Sequence, residues 1–331
     1  MDFCKFKKID AHIHVNTEKP TFMEIAKEHN FKLLTINTDV SEYPDITRQR
    51  ALAIYQKQQF PGRIAFATTF KMQGWDEPDW QEKTIAYLED SFNKGAIAVK
   101  VWKNIGMVFK DKDSNFVMID DPKFDPIFDY LAKKGIPVVG HIGEPKNCWL
   151  PVEEMTVNND KEYFKNHPQY HMYLHPEYPS YEDIITARDH MLEKNPELKF
   201  IGCHLGSIEW SVEELGKRLK RFPNMAVDFA ARMSHFQFQS HKDREKVINF
   251  FIEFQDQLIY GSDLNTDGTE NPEELKVKMH EAWLNDWKYL TTNEVITVPE
   301  VNEEFQGLNL PRKVVEKIYR LNTEKWYSGI N

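Results

Sequence analysis

Ile9-Asp10-Ala11-His12-Ile13-His14-Val15, close to the start of the chain, is the stretch on which the fold turns. Ile9, Ala11, Ile13 and Val15 share one parity, and Asp10, His12 and His14 share the other. In an extended strand, residues two apart point to the same face. The alternation predicts a strand whose apolar parity is anchored in a core. The two imidazoles then project side by side, about 7 Å apart along the strand and within reach of one metal ion. The plainer reading of a His-x-His pair is two surface histidines on an edge strand. The rest of the chain decides between the two.

Helical periods at 21–30, 47–60, 82–94, 125–134, 181–194, 212–221 and 244–254 alternate with apolar runs at 31–38, 63–70, 96–102, 136–141, 198–204, 225–230 and 258–263. Pro61-Gly62, Gly95 and Gly135 supply stops. Counting the first stretch, eight strands alternate with helices. That pattern predicts an α/β chain folded as a distorted (β/α)8 TIM barrel, with a long loop excursion after strand five and a mostly helical C-terminal tail from residue 271. A doubly wound open sheet would carry a Gly-rich phosphate turn after its first strand, where this chain carries His-x-His. No repeat, low-complexity tract or flexible linker interrupts the pattern, so one domain over residues 1–331 is expected.

Composition narrows the partners. With 42 Lys and Arg against 52 Asp and Glu the net charge is −10, and no long basic run occurs, which argues against nucleic acid. No stretch approaches the ~20 apolar residues of a membrane span, and Met1-Asp2-Phe3-Cys4-Lys5 lacks an apolar signal region. Cys4, Cys148 and Cys203 form no CxxC pair and no disulfide framework. A cytoplasmic protein acting on a small molecule is the expectation.

In such barrels the chemistry sits at the C-terminal ends of the strands. Those ends carry His12 and His14 on strand one, Lys100 on strand four, His141 on strand five, His204 on strand six and Asp263 on strand eight. Neutral imidazoles and a carboxylate suit a divalent ion such as Zn2+, with one position open to a water whose pKa the ion lowers to about 7.

Ile9-Asp10-Ala11-His12-Ile13-His14, Gly140-His141, Gly202-Cys203-His204-Leu205-Gly206 and Tyr260-Gly261-Ser262-Asp263, taken as an ordered set, resemble the metal-dependent amidohydrolase superfamily. The resemblance is greatest to the amidohydrolase-related branch that includes aminocarboxymuconate-semialdehyde decarboxylase and similar nonoxidative decarboxylases. It implies that His12, His14, His141 and Asp263 hold one metal ion, that His204 acts as acid/base or polarises the substrate, and that Asp263 also takes a proton. Elsewhere in the superfamily a strand-four lysine is carbamylated and bridges two metals, an arrangement Lys100 would permit. Otherwise Lys100 is an ammonium for a substrate carboxylate, pairs with Asp or Glu, or is structural, its stem packed and its head satisfied at the rim.

Metal-activated water attacking an amide, lactone or ester carbonyl of a small anionic substrate is the reaction expected. Nonoxidative decarboxylation of an unsaturated or aromatic acid would use nearly the same residues, and a non-catalytic metal-binding barrel is a third reading. Trp102, Lys103 and Arg232, at strand ends, would suit an anionic or planar substrate, although such cations often form structural ion pairs. Glu144 is placed to orient a ligand histidine, and Asp10 to lie a layer below the histidines or to position the first strand. The segment 144–180, rich in aromatic residues, reads as a lid or as a packed excursion against a second subunit of a homodimer. Its His167, His171 and His175 have no context that fixes ligand geometry.

Overall fold

The computed structural model describes residues 1–330. Its main sheet contains nine parallel strands: β1 (Lys8–Val15), β2 (Phe31–Ile36), β3 (Ile64–Thr69), β4 (Ala96–Val101), β5 (Val138–Gly140), β6 (Phe200–Gly202), β7 (Met225–Asp228), β8 (Leu258–Ile259) and β9 (Leu264–Thr266). They are ordered β8-β7-β6-β5-β4-β3-β2-β1-β9, an α/β TIM-barrel arrangement. The eighth strand, expected over 258–263, is broken: β8 pairs with β7, whereas β9 pairs with β1. Across the break the Ala11 amide donates to the Tyr260 carbonyl (3.0 Å) and the Asp263 amide to the His12 carbonyl (2.9 Å), joining the first strand to the last.

Helices α1 (Thr21–Glu28), α2 (Ile46–Gln59), α3 (Trp80–Asn93), α4 (Asp125–Lys134), α5 (Asn158–Asn166), α6 (Tyr181–Lys194), α7 (Val212–Arg221), α8 (Met233–Glu253) and α9 (Pro272–Thr291) follow the strands. Their starts are written in side chains. Ser180 and Asp183 close a capping box on α6, and Asn271 caps α9 ahead of Pro272. Helix α8 begins well before residue 244, because two helical segments join across a kink at Asp243. The tail is not purely helical. A hairpin, β10 (Val295–Val298) with β11 (Val301–Gln306), interrupts it before the helical run 312–326.

Two cores follow from this layering. Small residues such as Ala11, Ala65, Ala67, Ala98 and Ala226 fill the barrel interior together with Ile9, Val139 and Ile201, and the C-terminal Trp326, Tyr327 and Ile330 join them. A larger outer cluster packs helices against the sheet. Ile13 and Val15 belong to that outer cluster, while Ile9 and Ala11 belong to the interior, so the strict alternation expected of β1 is incorrect. Asp10 pairs with Leu33 and Ile13 with Thr35, so β1 holds one extra residue, a β-bulge. The bulge reverses the parity. Asp10 points outward, accepting from Trp283 Nε1 (2.9 Å) and Ser262 Oγ (2.5 Å), instead of lying a layer below the histidines.

Candidate functional site

Beyond the bulge, His12 and His14 turn into the barrel mouth, where Asp263 meets both. Its Oδ1 lies 3.4 Å from His12 Nε2 and 3.4 Å from His14 Nε2. Glycine at position 261 is a steric requirement, since a Cβ there would stand 2.7 Å from His12 Cβ. Asp263 itself takes a left-handed φ of 69°.

Each imidazole is held by an acceptor on its far side. His12 Nδ1 is 2.7 Å from Asp228 Oδ2, His14 Nδ1 is 2.7 Å from the Ile36 carbonyl, and His204 Nδ1 is 2.8 Å from the Ala230 carbonyl. Carboxylate and carbonyl oxygens only accept, so each Nδ1 carries the proton it donates. A neutral ring then offers its lone pair at Nε2. This is how protein ligands to zinc are oriented. Donor atoms of His12, His14 and Asp263 lie within 4.8 Å of one another, a set that fits a divalent cation.

His141 stands near this trio without joining its tight group. Its ring centroid is 4.2 Å from that of His204, and its buried Nε2 has no hydrogen-bond partner among the described residues. Glu144 does not hydrogen-bond to it, the Oε2–Nε2 distance being 3.9 Å. Instead Glu144 ion-pairs with Lys103 and faces Arg232 at 4.0 Å. Lys103 is therefore a paired cation. Arg232, expected at the rim against the substrate, does not line the cavity, because its buried guanidinium is drawn towards Glu144.

Lys100 is buried inside the barrel rather than packed at the rim, with Nζ 3.1 Å from Cys203 Sγ and 3.5 Å from His12 Nε2. Strand six ends in a left-handed turn, with φ of 56°, 60°, 60° and 56° at His204, Leu205, Gly206 and Ser207. For the non-glycine members this conformation costs roughly 1–2 kcal/mol each. Ser207 Oγ on the Gly143 carbonyl (2.7 Å) and Tyr181 Oη on the Ser207 carbonyl (2.5 Å) fasten the turn.

Burial and the Lys100 ammonium disfavour a charged His12, but Asp228 and Cys203 outweigh them and push its pKa up to about 10. A cation on Nε2 would have to displace that proton. Burial keeps His14 and His141 below the ordinary imidazole range and pushes His204 down to about 3. Asp263 is held well below the usual carboxylate range: burial opposes this, and the His14 hydrogen bond with the nearby His204 and His12 prevails. The rings of His14, His141 and His204 are neutral at pH 7 and the carboxylate is charged, the states that ligation requires.

Sequence reasoning did not single out Asp228. Besides His12, it accepts from the backbone amides of His204 (2.8 Å) and Ala230 (3.2 Å). The available signal was a carboxylate closing the apolar run Met225-Ala226-Val227, the same signal that marked His204 and Asp263.

Above these groups lies a cavity of about 910 Å³ lined by His12, His14, Lys100, His141, His204 and Asp263, with Tyr43 and Trp102 at its side. The excursion supplies Tyr163, His167, Tyr170, Met172 and Tyr178, so it roofs this cavity. The other two excursion histidines face away. His171 Nε2 bonds to the Leu150 carbonyl and His175 Nε2 to the Pro168 carbonyl, at 2.8 and 2.9 Å.

The sequence profile of the amidohydrolase family matches residues 9–329. No curated protein matches the chain. Among solved structures, the fold is similar to an uncharacterised TIM-barrel protein of Bordetella bronchiseptica, with 14% identity, 98% of this chain and 99% of that chain covered, and a TM-score of 0.58. It is also similar to 2,6-dihydroxybenzoate decarboxylase from Rhizobium (14% identity, 97% and 98% covered, TM-score 0.52). A third is a proposed 2-pyrone-4,6-dicarboxylic acid hydrolase of Pseudomonas putida (11% identity, 97% of each chain covered, TM-score 0.55). At these identities the likeness is one of fold.

Proposed function

The chain belongs to the amidohydrolase family, and on that premise we propose that it is a metal-dependent hydrolase of a small anionic substrate, working as a single domain. The observation that carries this reading is the convergence of His12 Nε2, His14 Nε2 and Asp263 Oδ1, with both far-side nitrogens already engaged. His12, His14, Asp263 and the unpartnered His141 would hold one divalent ion, Zn2+ being best suited to this donor set. When bound, such an ion supplies Lewis acidity to a carbonyl oxygen and makes water acidic enough to attack.

The protein's own groups do the rest. Asp263, charged and against both histidines, accepts the attacking water's proton. His204 donates its Nδ1 proton to Ala230 and keeps Nε2 free, so it accepts a hydrogen bond or relays a proton to the leaving group. The aromatic roof over the cavity limits water access. Lys100, the one cavity-lining cation without a carboxylate partner among the described residues, would face an anionic substituent.

Two features favour specific alternatives. Lys100 Nζ, 3.5 Å from His12 Nε2, would place a positive charge beside the ion; carbamylation by carbon dioxide, with loss of two protons from the ammonium, would make it an anionic group able to bridge two metals. A cavity lined by this lysine and by Trp102, Tyr163 and Tyr170 also suits an aromatic carboxylate, which favours nonoxidative decarboxylation. Zinc-loaded protein should be screened against lactones, amides, esters and hydroxybenzoates, reading the new carboxylate product by mass spectrometry and carbon dioxide separately. The proposal expects a new carboxylate without carbon dioxide, abolished in His204→Asn. Carbon dioxide release would replace hydrolysis by decarboxylation, and turnover that survives His204→Asn would contradict the assignment.

A further inference from the structure

Outside the barrel, behind the break in strand eight, lies a second cavity of about 840 Å³. It shares no lining residue with the candidate active site. Gly261 and Ser262 form its floor, the N-terminal part of α8 and one side of α9 its walls, and the β10–β11 turn at residues 298–300 its rim. The floor is firm, since Ser262 donates to Asp10 through both its amide (3.0 Å) and its hydroxyl (2.5 Å).

Two independent features give this cavity a chemical character. Its charged lining consists of Glu273, Glu274, Glu281, Asp286 and Glu300 against Lys278 alone. That imbalance attracts cations but does not by itself make a site. The second feature is Gln237. It is 4% exposed, it lines the cavity, and its side-chain amide has no hydrogen-bond partner among the described residues. An enclosed amide that no protein group satisfies and that opens onto the cavity is completed by whatever occupies the cavity.

Asp286 is also half-satisfied. Its Oδ2 accepts from Tyr260 Oη at 2.8 Å, leaving Oδ1 without a protein donor among the described residues. Burial, with Asp10 and Glu300 nearby, pushes its carboxyl up to about 7, against the Tyr260 hydrogen bond. A bound cation would relieve that penalty. Between these polar groups Phe229, Met233, Ala282 and Val298 give apolar wall. A hydrated divalent ion has no use for such wall, whereas an organic cation does.

We propose that this second cavity binds a small organic cation, a primary ammonium on a short apolar chain, with Gln237 and Asp286 supplying acceptors and the apolar wall covering the chain. The assignment is independent of the reaction run in the barrel. The full chain is titrated with butylammonium chloride by ligand-detected NMR and calorimetry, with 1-butanol as the neutral control of similar shape and MgCl2 as the inorganic control. Saturable binding of butylammonium alone is expected. Asp286→Asn and Gln237→Leu should each weaken it by roughly tenfold or more, the size of one charge-assisted contact. Thermal melts establish that each variant is folded, and Gln237→Leu stands in if Asp286→Asn is not. His12→Ala, in the other cavity, should leave the affinity unchanged. The proposal is overturned if butylammonium does not saturate, if 1-butanol binds equally, if MgCl2 displaces it at equal concentration, if both folded variants bind as the parent does, or if His12→Ala abolishes binding.

Discussion

Asp228 is the residue that connects the parts of the candidate site. One buried carboxylate fixes the His12 ring, the His204 amide at the start of the left-handed turn, and the amide of Ala230, whose carbonyl holds the His204 ring. An asparagine there can turn its NH2 towards His12 Nδ1, which reverses the tautomer and places the proton on Nε2. Asp228→Asn should therefore lower zinc affinity by about ten- to a hundredfold with the fold intact, as losses of such supporting partners do. Competition against a chromophoric chelator measures it, and unchanged affinity would remove Asp228 from the account. Among the inward groups, His12→Ala and Asp263→Ala should each abolish stoichiometric zinc, whereas His204→Asn should retain it. Most of these inward residues were legible because each follows an apolar run. Arg232 stayed open between two readings for a physical reason: a strand-end cation looks the same in sequence whether it faces substrate or an internal carboxylate, and its place near Glu144 is visible only in three dimensions.

At the level of elements, the bulge in β1 and the break in strand eight build the site. Neither has a sequence signature. Ile9 to Val15 alternates without fault, and only pairing with β2 reveals the extra residue that sends Asp10 outward and His12 inward. Tyr260-Gly261-Ser262-Asp263 reads as the end of a strand, but it is the point where the chain switches from β7 to β1 as neighbour. Gly261→Ala would drive a methyl into His12 Cβ, so it should cost zinc affinity more than stability, and equal affinity would contradict the packing argument. The break also carries a pH signature through Asp286, which bonds Tyr260. Its carboxyl rises from 3.8 to about 7 on folding, chiefly by burial. Between those values the folded protein keeps a proton that the unfolded chain has released, so this group removes stability as pH rises. Asp286→Asn, which cannot ionise, should gain thermal stability over the parent between pH 4.5 and 8, most strongly at the upper end. A difference in melting temperature that does not vary with pH would be the contrary result.

For the whole molecule, the barrel is sealed at one end and roofed at the other. Trp326 and Tyr327 join the small-residue interior, so the tail is part of the core. Tyr327 is fully buried and its hydroxyl has no partner among the described residues. Tyr327→Ala should cost about 3–5 kcal/mol by denaturant unfolding, the range for deleting a buried aromatic ring. Tyr327→Phe should be neutral or stabilising, because it removes only an unsatisfied hydroxyl. A large loss in the Phe variant would mean that the hydroxyl is bonded. The alternation of strands and helices made the barrel readable, but the hairpin and the roof depend on contacts between distant segments. Among the described residues no helix is long and apolar enough to cross a membrane. The central claim is that the barrel mouth holds a catalytic divalent ion, and metal content per chain, by inductively coupled plasma mass spectrometry on protein purified without chelators, tests it most directly. The account predicts one equivalent of zinc or a similar divalent ion, lost in His12→Ala; no metal, even after reconstitution, would contradict it.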